Sequence, residues 1–244
     1  MATLAAIWFN VIVTALVPLA MAIGLLVWRR TRRYGAVFLL GAAGLALSQI
    51  VLRMPLLAAL STNPRGALSS LTQPLLYVAL VALSSGAVEE LACYGFLVLK
   101  RRFYTAFDLR IPIAYGLGAG AVEALLIVGI PYALLLTHPS AYAYYTPACA
   151  WAGIERLSAT IAHVALSIMV YTAVQRHRFL PVLWAIGLHG LYDLMGALIG
   201  SRPSIVTVEL ALLCGALLLL AIALLWTAHL RRPAFLYSKE RPPA

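Results

Sequence analysis

Seven apolar runs, each near or above the ~20 residues that a helix needs to cross a bilayer, dominate this 244-residue chain. They cover roughly residues 4–28, 34–60, 71–99, 111–137, 150–174, 181–200 and 205–230. Within hydrocarbon each backbone N–H and C=O must find its partner inside the protein, so runs of this kind fold as helices. The expected fold class is all-α: a polytopic membrane helical bundle of about seven transmembrane helices. Residues 1–230 read as a single transmembrane helical domain and 231–244 as a short, Pro-rich cytosolic tail. Only 11% of residues are charged, against about 25% in soluble domains, so the chain is expected to be an integral membrane protein.

The net charge of +10 would suit a nucleic-acid binder, but the placement of the charge argues for topology instead. Fourteen of the 18 Lys and Arg fall in 29–33, 100–110, 175–178 and 231–244, the alternate connections and the tail. The intervening connections hold two, Arg65 and Arg202, and the spans hold Arg53 and Arg156. By the positive-inside rule the N-terminus lies outside and the C-terminus inside. The basic segments then meet anionic lipid headgroups, and no nucleic-acid partner is expected. The first run lacks a basic leader segment and ends at the arginine-rich 29–33, which reads as a retained helix rather than a cleaved signal. Cys93, Cys149 and Cys214 show no CxxC spacing, which leaves no disulfide framework and no thiolate metal site to expect.

Against this apolar background, Glu89, Glu90, Glu123, Glu155, Asp193, His163 and His189 stand out. An ionisable group at mid-bilayer costs about 3 kcal/mol or more, and such groups face a bundle interior or a cavity. At 1.5 Å per residue, Glu90 lies about 15 Å from the cytosolic charge at Lys100, Glu123 about 20 Å from Arg110, and His163 about 20 Å from Arg176. His189 and Asp193 lie about 17 and 23 Å from Arg178. Four helices thus place polar groups in one layer. Glu155, about 30 Å from Arg176, is expected at the outer boundary, pairing with Arg156 in a supporting role.

Spacing adds detail. Adjacent helical residues point about 100° apart, so Glu89 and Glu90 cannot both face one spot: one suits chemistry, the other an anchor to a neighbouring helix. A carboxylate in a low-dielectric site is suited to general acid–base work. His163 and Ser167 are four apart and share a face, as do His189 and Asp193. A His and an Asp at that spacing can orient one another or ligate one metal or water. Gly116 and Gly120 form a GxxxG pair for close helix packing. Arg53 reads as a buried cation that pairs with one of the acids.

Together these residues resemble the YhfC-type membrane peptidases, relatives of the CAAX-processing and bacteriocin-maturation (CPBP/Abi) proteases. The motifs occur in order: SQIVLRMPLL at 48–57, Glu89-Glu90, the Gly-rich stretch ending at Glu123, Glu155-Arg156 with His163 and Ser167, and His189 with Asp193. The resemblance implies an intramembrane endopeptidase of a prokaryotic cytoplasmic membrane, with its site opening toward the cytosol. It would hydrolyse a membrane-embedded or membrane-proximal peptide or protein. Glu89, or Glu90 next to it, would activate water. His163 and His189 would position the water or the substrate carbonyl, and Asp193 would orient His189. No cofactor is required by this mechanism. If a metal takes part, it would be Zn²⁺ held by His163, His189 and Glu89.

The chain departs from the family pattern twice: Cys93 stands where an Arg follows the paired acids, and Ala119 where the Gly-rich segment carries a His. These departures motivate a second reading, a non-catalytic homologue acting as an accessory subunit of a membrane complex. A third, a transporter using the carboxylates as a proton relay, lacks a visible inverted repeat.

Overall fold

The computed structural model describes residues 1–100, 107–199 and 204–231, apart from the side chains of Arg65, Lys100, Leu230 and Arg231. The proposed tail beyond Arg231 and the 201–203 connection lie outside the described residues. Among the described residues, seven helices are long and apolar enough to cross a membrane. In chain order the helices are α1 (Ala2–Val27), α2 (Arg32–Thr62), a short α3 (Pro64–Thr72), α4 (Pro74–Lys100), α5 (Arg110–Leu135), α6 (Trp151–Arg176), α7 (Leu180–Ile199) and α8 (Ile205–Arg231). Two 3₁₀ turns, Pro139–Tyr144 and Pro147–Ala150, join α5 to α6. The spans match the apolar runs to within a few residues.

Three spans carry a wide i→i+5 turn, at Ile12–Leu16, Ser48–Arg53 and Leu125–Gly129. Each ends two residues before a proline: Pro18, Pro55 and Pro131. Proline has no N–H to donate, and its ring crowds the carbonyl four residues earlier. In each case that carbonyl, on Thr14, Val51 or Ile127, lies inside the wide turn. Widening the ladder relieves the clash without ending the helix.

Helix α6 is the axis of the bundle. It is buried without interruption from Ala162 to Val174, and α5 and α8 pack most extensively against it. α2 lies against α5, and α7 against α4. Small residues set the α5 contacts. A Cβ on Gly116 would lie 2.5 Å from Val164 Cα, and one on Gly120 2.7 Å from Thr160 Oγ1. The GxxxG face of α5 therefore seats on α6, as its spacing predicts. Between these two glycines, Gly118 turns the other way, where a Cβ would come 1.9 Å from the Phe38 carbonyl oxygen on α2. Buried polar side chains add crosslinks. The Asn10 amide donates to the Cys149 carbonyl at 2.9 Å and its oxygen accepts from Gly153 N–H at 3.0 Å, tying α1 to the start of α6. Leucines such as Leu19, Leu56, Leu218 and Leu225 remain exposed on the outside, as a lipid-facing surface requires.

The arginine-rich end is closed by Asp108. Its carboxylate pairs with Arg33 at 3.0 Å and Arg110 at 2.8 Å and accepts from the Tyr34 hydroxyl at 2.8 Å. Its backbone N–H donates to the Tyr171 hydroxyl at 3.3 Å. Partial burial pushes the Asp108 carboxyl up, but the hydrogen bonds from Arg110 and Tyr34 outweigh it and hold it at about 2. The first turn of α2 and the segment before α5 are thereby locked to one end of α6.

The glycine contacts give a direct test. Gly118→Ala forces a methyl into the α2 backbone and should cost about 1–3 kcal/mol, the usual price of overpacking. Gly24→Ala, where a Cβ meets nothing within 4 Å, should be near neutral. Thermal unfolding of the detergent-purified proteins measures both, and equal midpoints would show that the α2–α5 contact is not tight.

Candidate active centre

Helix α4 presents Glu89 and Glu90 to different neighbours. Glu89 Oε1 accepts from Ser85 Oγ at 2.8 Å and from the Gln49 amide. Gln49 lies in the wide turn of α2, and its own Oε1 accepts from Arg53 at 3.2 Å. Arg53 also donates to the Val81 carbonyl at 3.3 Å. It reaches the acids only through Gln49, whereas the sequence suggested a direct pair. Glu90 Oε1 lies 2.8 Å from His189 Nδ1. This contact needs α4 and α7 close together, and Gly86 and Gly190 allow it. A Cβ on Gly86 would lie 2.6 Å from the Ile186 carbonyl oxygen, and one on Gly190 2.9 Å from Leu83 Cα.

The second histidine is held in the same manner from α5. His163 Nε2 lies 3.0 Å from Glu123 Oε2. An ionised carboxylate only accepts, so the nitrogen facing it carries the proton: Nε2 on His163 and Nδ1 on His189. The other nitrogen of each ring faces the same atom, Glu89 Oε2, at 3.9 Å from His163 Nδ1 and 3.8 Å from His189 Nε2. The imidazoles meet edge to face with centroids 5.7 Å apart. Glu89 Oε2 is buried and has no hydrogen-bond partner among the described residues. Beside it, Glu89, Glu90, Cys93, Tyr115, Ala119, His163 and Ser167 line a space of about 10 Å³, near the smallest volume that holds one water.

The remaining sequence-selected residues fall around this core. Asp193 shares a face of α7 with His189, but its Oδ2 is 3.8 Å from Nε2, beyond hydrogen-bonding reach. Glu90, not Asp193, is within reach to orient that ring. Ser167 is buried one turn from His163, with Cys93 Sγ 4.0 Å from its Oγ. Glu155 and Arg156, at the outer end of α6, are not isolated from the centre. Arg156 pairs with Glu155 and extends to Glu123 Oε1 at 3.1 Å, so it joins the network that holds His163. A helical rise measures Cα positions and does not count the length of an Arg side chain.

A cavity of about 220 Å³ adjoins the histidines. Glu123, Glu155, Arg156, His163, His189 and Asp193 supply its polar wall. Sequence reasoning missed Gln49, Ser85 and Glu209. The first two are ordinary polar residues inside apolar runs and carry no charge signal. Glu209 could have been found as a sixth carboxylate within a span. It is 7% exposed near the start of α8, one turn from the cavity residue Leu212, and its Oε2 has no hydrogen-bond partner among the described residues. Among the described residues no three His, Cys, Asp or Glu side chains close on a single metal-binding point.

Arg156 is the testable keystone of this wall. Removing one partner of a buried ion pair costs about 3–5 kcal/mol. Arg156→Met should lower the thermal midpoint accordingly, and adding Glu123→Gln and Glu155→Gln should recover part of the loss. An unchanged midpoint would show that the cation is not balancing these acids.

A family model described as YhfC intramembrane metalloprotease matches residues 15–142 and 136–213. The "Uncharacterized membrane protein YhfC" of Bacillus subtilis (strain 168) is 29% identical over 209 residues, covering 72% of this chain and 78% of that protein. No solved structure matches the chain. An integral membrane bundle of seven apolar helices, matched across most of its length, places the chain in the YhfC intramembrane metalloprotease family.

Proposed function

We propose that the chain is an intramembrane endopeptidase that hydrolyses a membrane-embedded or membrane-proximal peptide through water activated by Glu89. One observation carries this reading: a buried carboxylate oxygen without a hydrogen-bond partner among the described residues faces one ring nitrogen from each of two histidines. Gln49 and Ser85 hold the other oxygen, which aims Oε2 inward. Glu89 is the base. Glu90 and Glu123 orient the rings of His189 and His163. In the reaction Glu89 takes a proton from water, which attacks the peptide carbonyl. The histidines hold that water and the developing oxyanion, and Glu89 returns the proton to the leaving amine.

Two imidazole nitrogens and one carboxylate, with carboxylates behind both rings, match a catalytic zinc site in type and number. The separations of 3.8 and 3.9 Å exceed the ~3.3 Å edge of a tetrahedron with bonds near 2.0 Å. Bound by His163, His189 and Glu89, zinc would supply a water of lowered pKa.

Cys93 and Ala119 favour a second reading, an accessory membrane subunit, because they line the wall beside Glu89 and Glu90 with groups that carry no charge.

The test is cleavage of membrane peptides by the purified protein in lipid vesicles, with and without a chelator. Glu89→Gln should lower the rate by about 10²–10⁴, the range for loss of a general base. Glu90→Gln should cost about 10–100-fold, as loss of an outer carboxylate does. Cleavage unaffected by Glu89→Gln, Glu90→Gln and His163→Ala would overturn the proposal. Stable co-purification with other membrane proteins and no cleavage would establish the accessory reading.

A further inference from the structure

The cavity beside the histidines has a direction. Its floor is Leu166 with His163 and His189, the histidines lying about 20 and 17 Å by helical rise from Arg176 and Arg178 at the arginine-rich end. From there its lining runs through Ala159 and Asp193 to Glu155 on α6 and to Gly196 and Ala197 on α7. Each step leads away from the arginine-rich end. Glu155 is about 31 Å from Arg176 by helical rise, which is the whole thickness of the hydrocarbon. Leu212, on the first half of α8, completes the same wall.

The opposite direction is blocked. Between His163 and the arginine-rich end, Leu166, Ile168, Met169, Val170 and Tyr171 are each no more than 1% exposed. They pack with Val37, Leu97 and Ile111 from three other helices. Interiors packed at this density admit no peptide. The Asp108 cluster then ties the connections together below them.

From these two observations and the charge bias of the connections, we infer that the centre is entered from the non-cytosolic side, and that its substrate is a peptide segment at that face. This reverses the cytosolic opening that the family resemblance implied. That the entrant is a peptide rests on the hydrolytic reading; the side of entry rests on the cavity, the packed core and the placement of Lys and Arg. The entrance is polar. Glu155, Arg156 and Asp193 line it, with Asp193 one-third exposed. Such a wall suits an extended peptide backbone better than a lipid tail.

The test reads accessibility and needs no cleavage. In the full-length chain carrying Cys93→Ala, Cys149→Ala and Cys214→Ala, single cysteines are placed by Gly196→Cys and Ala159→Cys. Position 196 tolerates a side chain, since a Cβ there meets only Leu212 Cδ2 at 3.4 Å. Thr72→Cys and Arg30→Cys, both exposed, mark the two faces. Intact cells are treated with a membrane-impermeant maleimide before and after permeabilisation, and size-exclusion profiles confirm that each protein is folded. Positions 72, 159 and 196 should label fully in intact cells, with no gain on permeabilisation, while position 30 labels only afterwards. Labelling of 159 and 196 only after permeabilisation would overturn the inference, as would their failure to label in both states. If the entry side holds but no peptide is cleaved, the hydrolytic reading falls and the entry side stands.

Discussion

The interior depends on how a buried carboxylate is neutralised. In hydrocarbon each unsatisfied polar group costs several kcal/mol, and this bundle links eight ionisable side chains on four helices through successive contacts shorter than 4 Å. Glu123 bears most of the coupling: one oxygen is held by His163 on α6 and the other by the Arg156 cation. Through it the ion pairs near one end of the bundle and the histidines at mid-depth form a single network. The glycine contacts of α5 bring Glu123 close enough to α6 for this to happen. Packing and electrostatics therefore rest on the same helix pair.

The same economy separates the paired acids. Glu89 and Glu90 are identical in chemistry and adjacent in sequence, yet their surroundings assign them different work. Glu89 is clamped on one oxygen by neutral donors, Ser85 and Gln49, which leaves its second oxygen facing two rings. Glu90 is taken up by His189. Neutral clamps fix a carboxylate without cancelling its charge, whereas a cation in the same place would have stabilised the anion and weakened it as a base.

The spans, their approximate ends and the α5–α6 glycine face were legible in the sequence, because hydropathy and small-residue spacing are one-dimensional properties. The shared depth of the polar layer followed from helical rise alone. What could not be read was direction around a helix axis relative to unseen neighbours. Glu90 rather than Asp193 reaches His189 because α4 and α7 approach through Gly86 and Gly190, a contact invisible in either segment. Arg156 joined the centre through the length of its side chain. Gln49 and Asn10 were hidden for another reason: uncharged amides inside apolar runs barely change hydropathy, yet each satisfies groups on a distant helix.

The wide turn at Ser48–Arg53 has a consequence for how such a protein can vary. It holds one residue more than a regular helix would use, and Gln49 and Arg53 both lie in it. Deleting one residue there would restore an ordinary turn: the helix on either side would keep its face, while the residues inside the turn, Gln49 among them, would shift by up to one position. The span would still cross the bilayer, but Gln49 would turn its amide away from Glu89. A single-codon deletion could thus leave insertion intact and release the carboxylate from its clamp. The turn before Pro55 is where the length of α2 and the aim of Glu89 are set together.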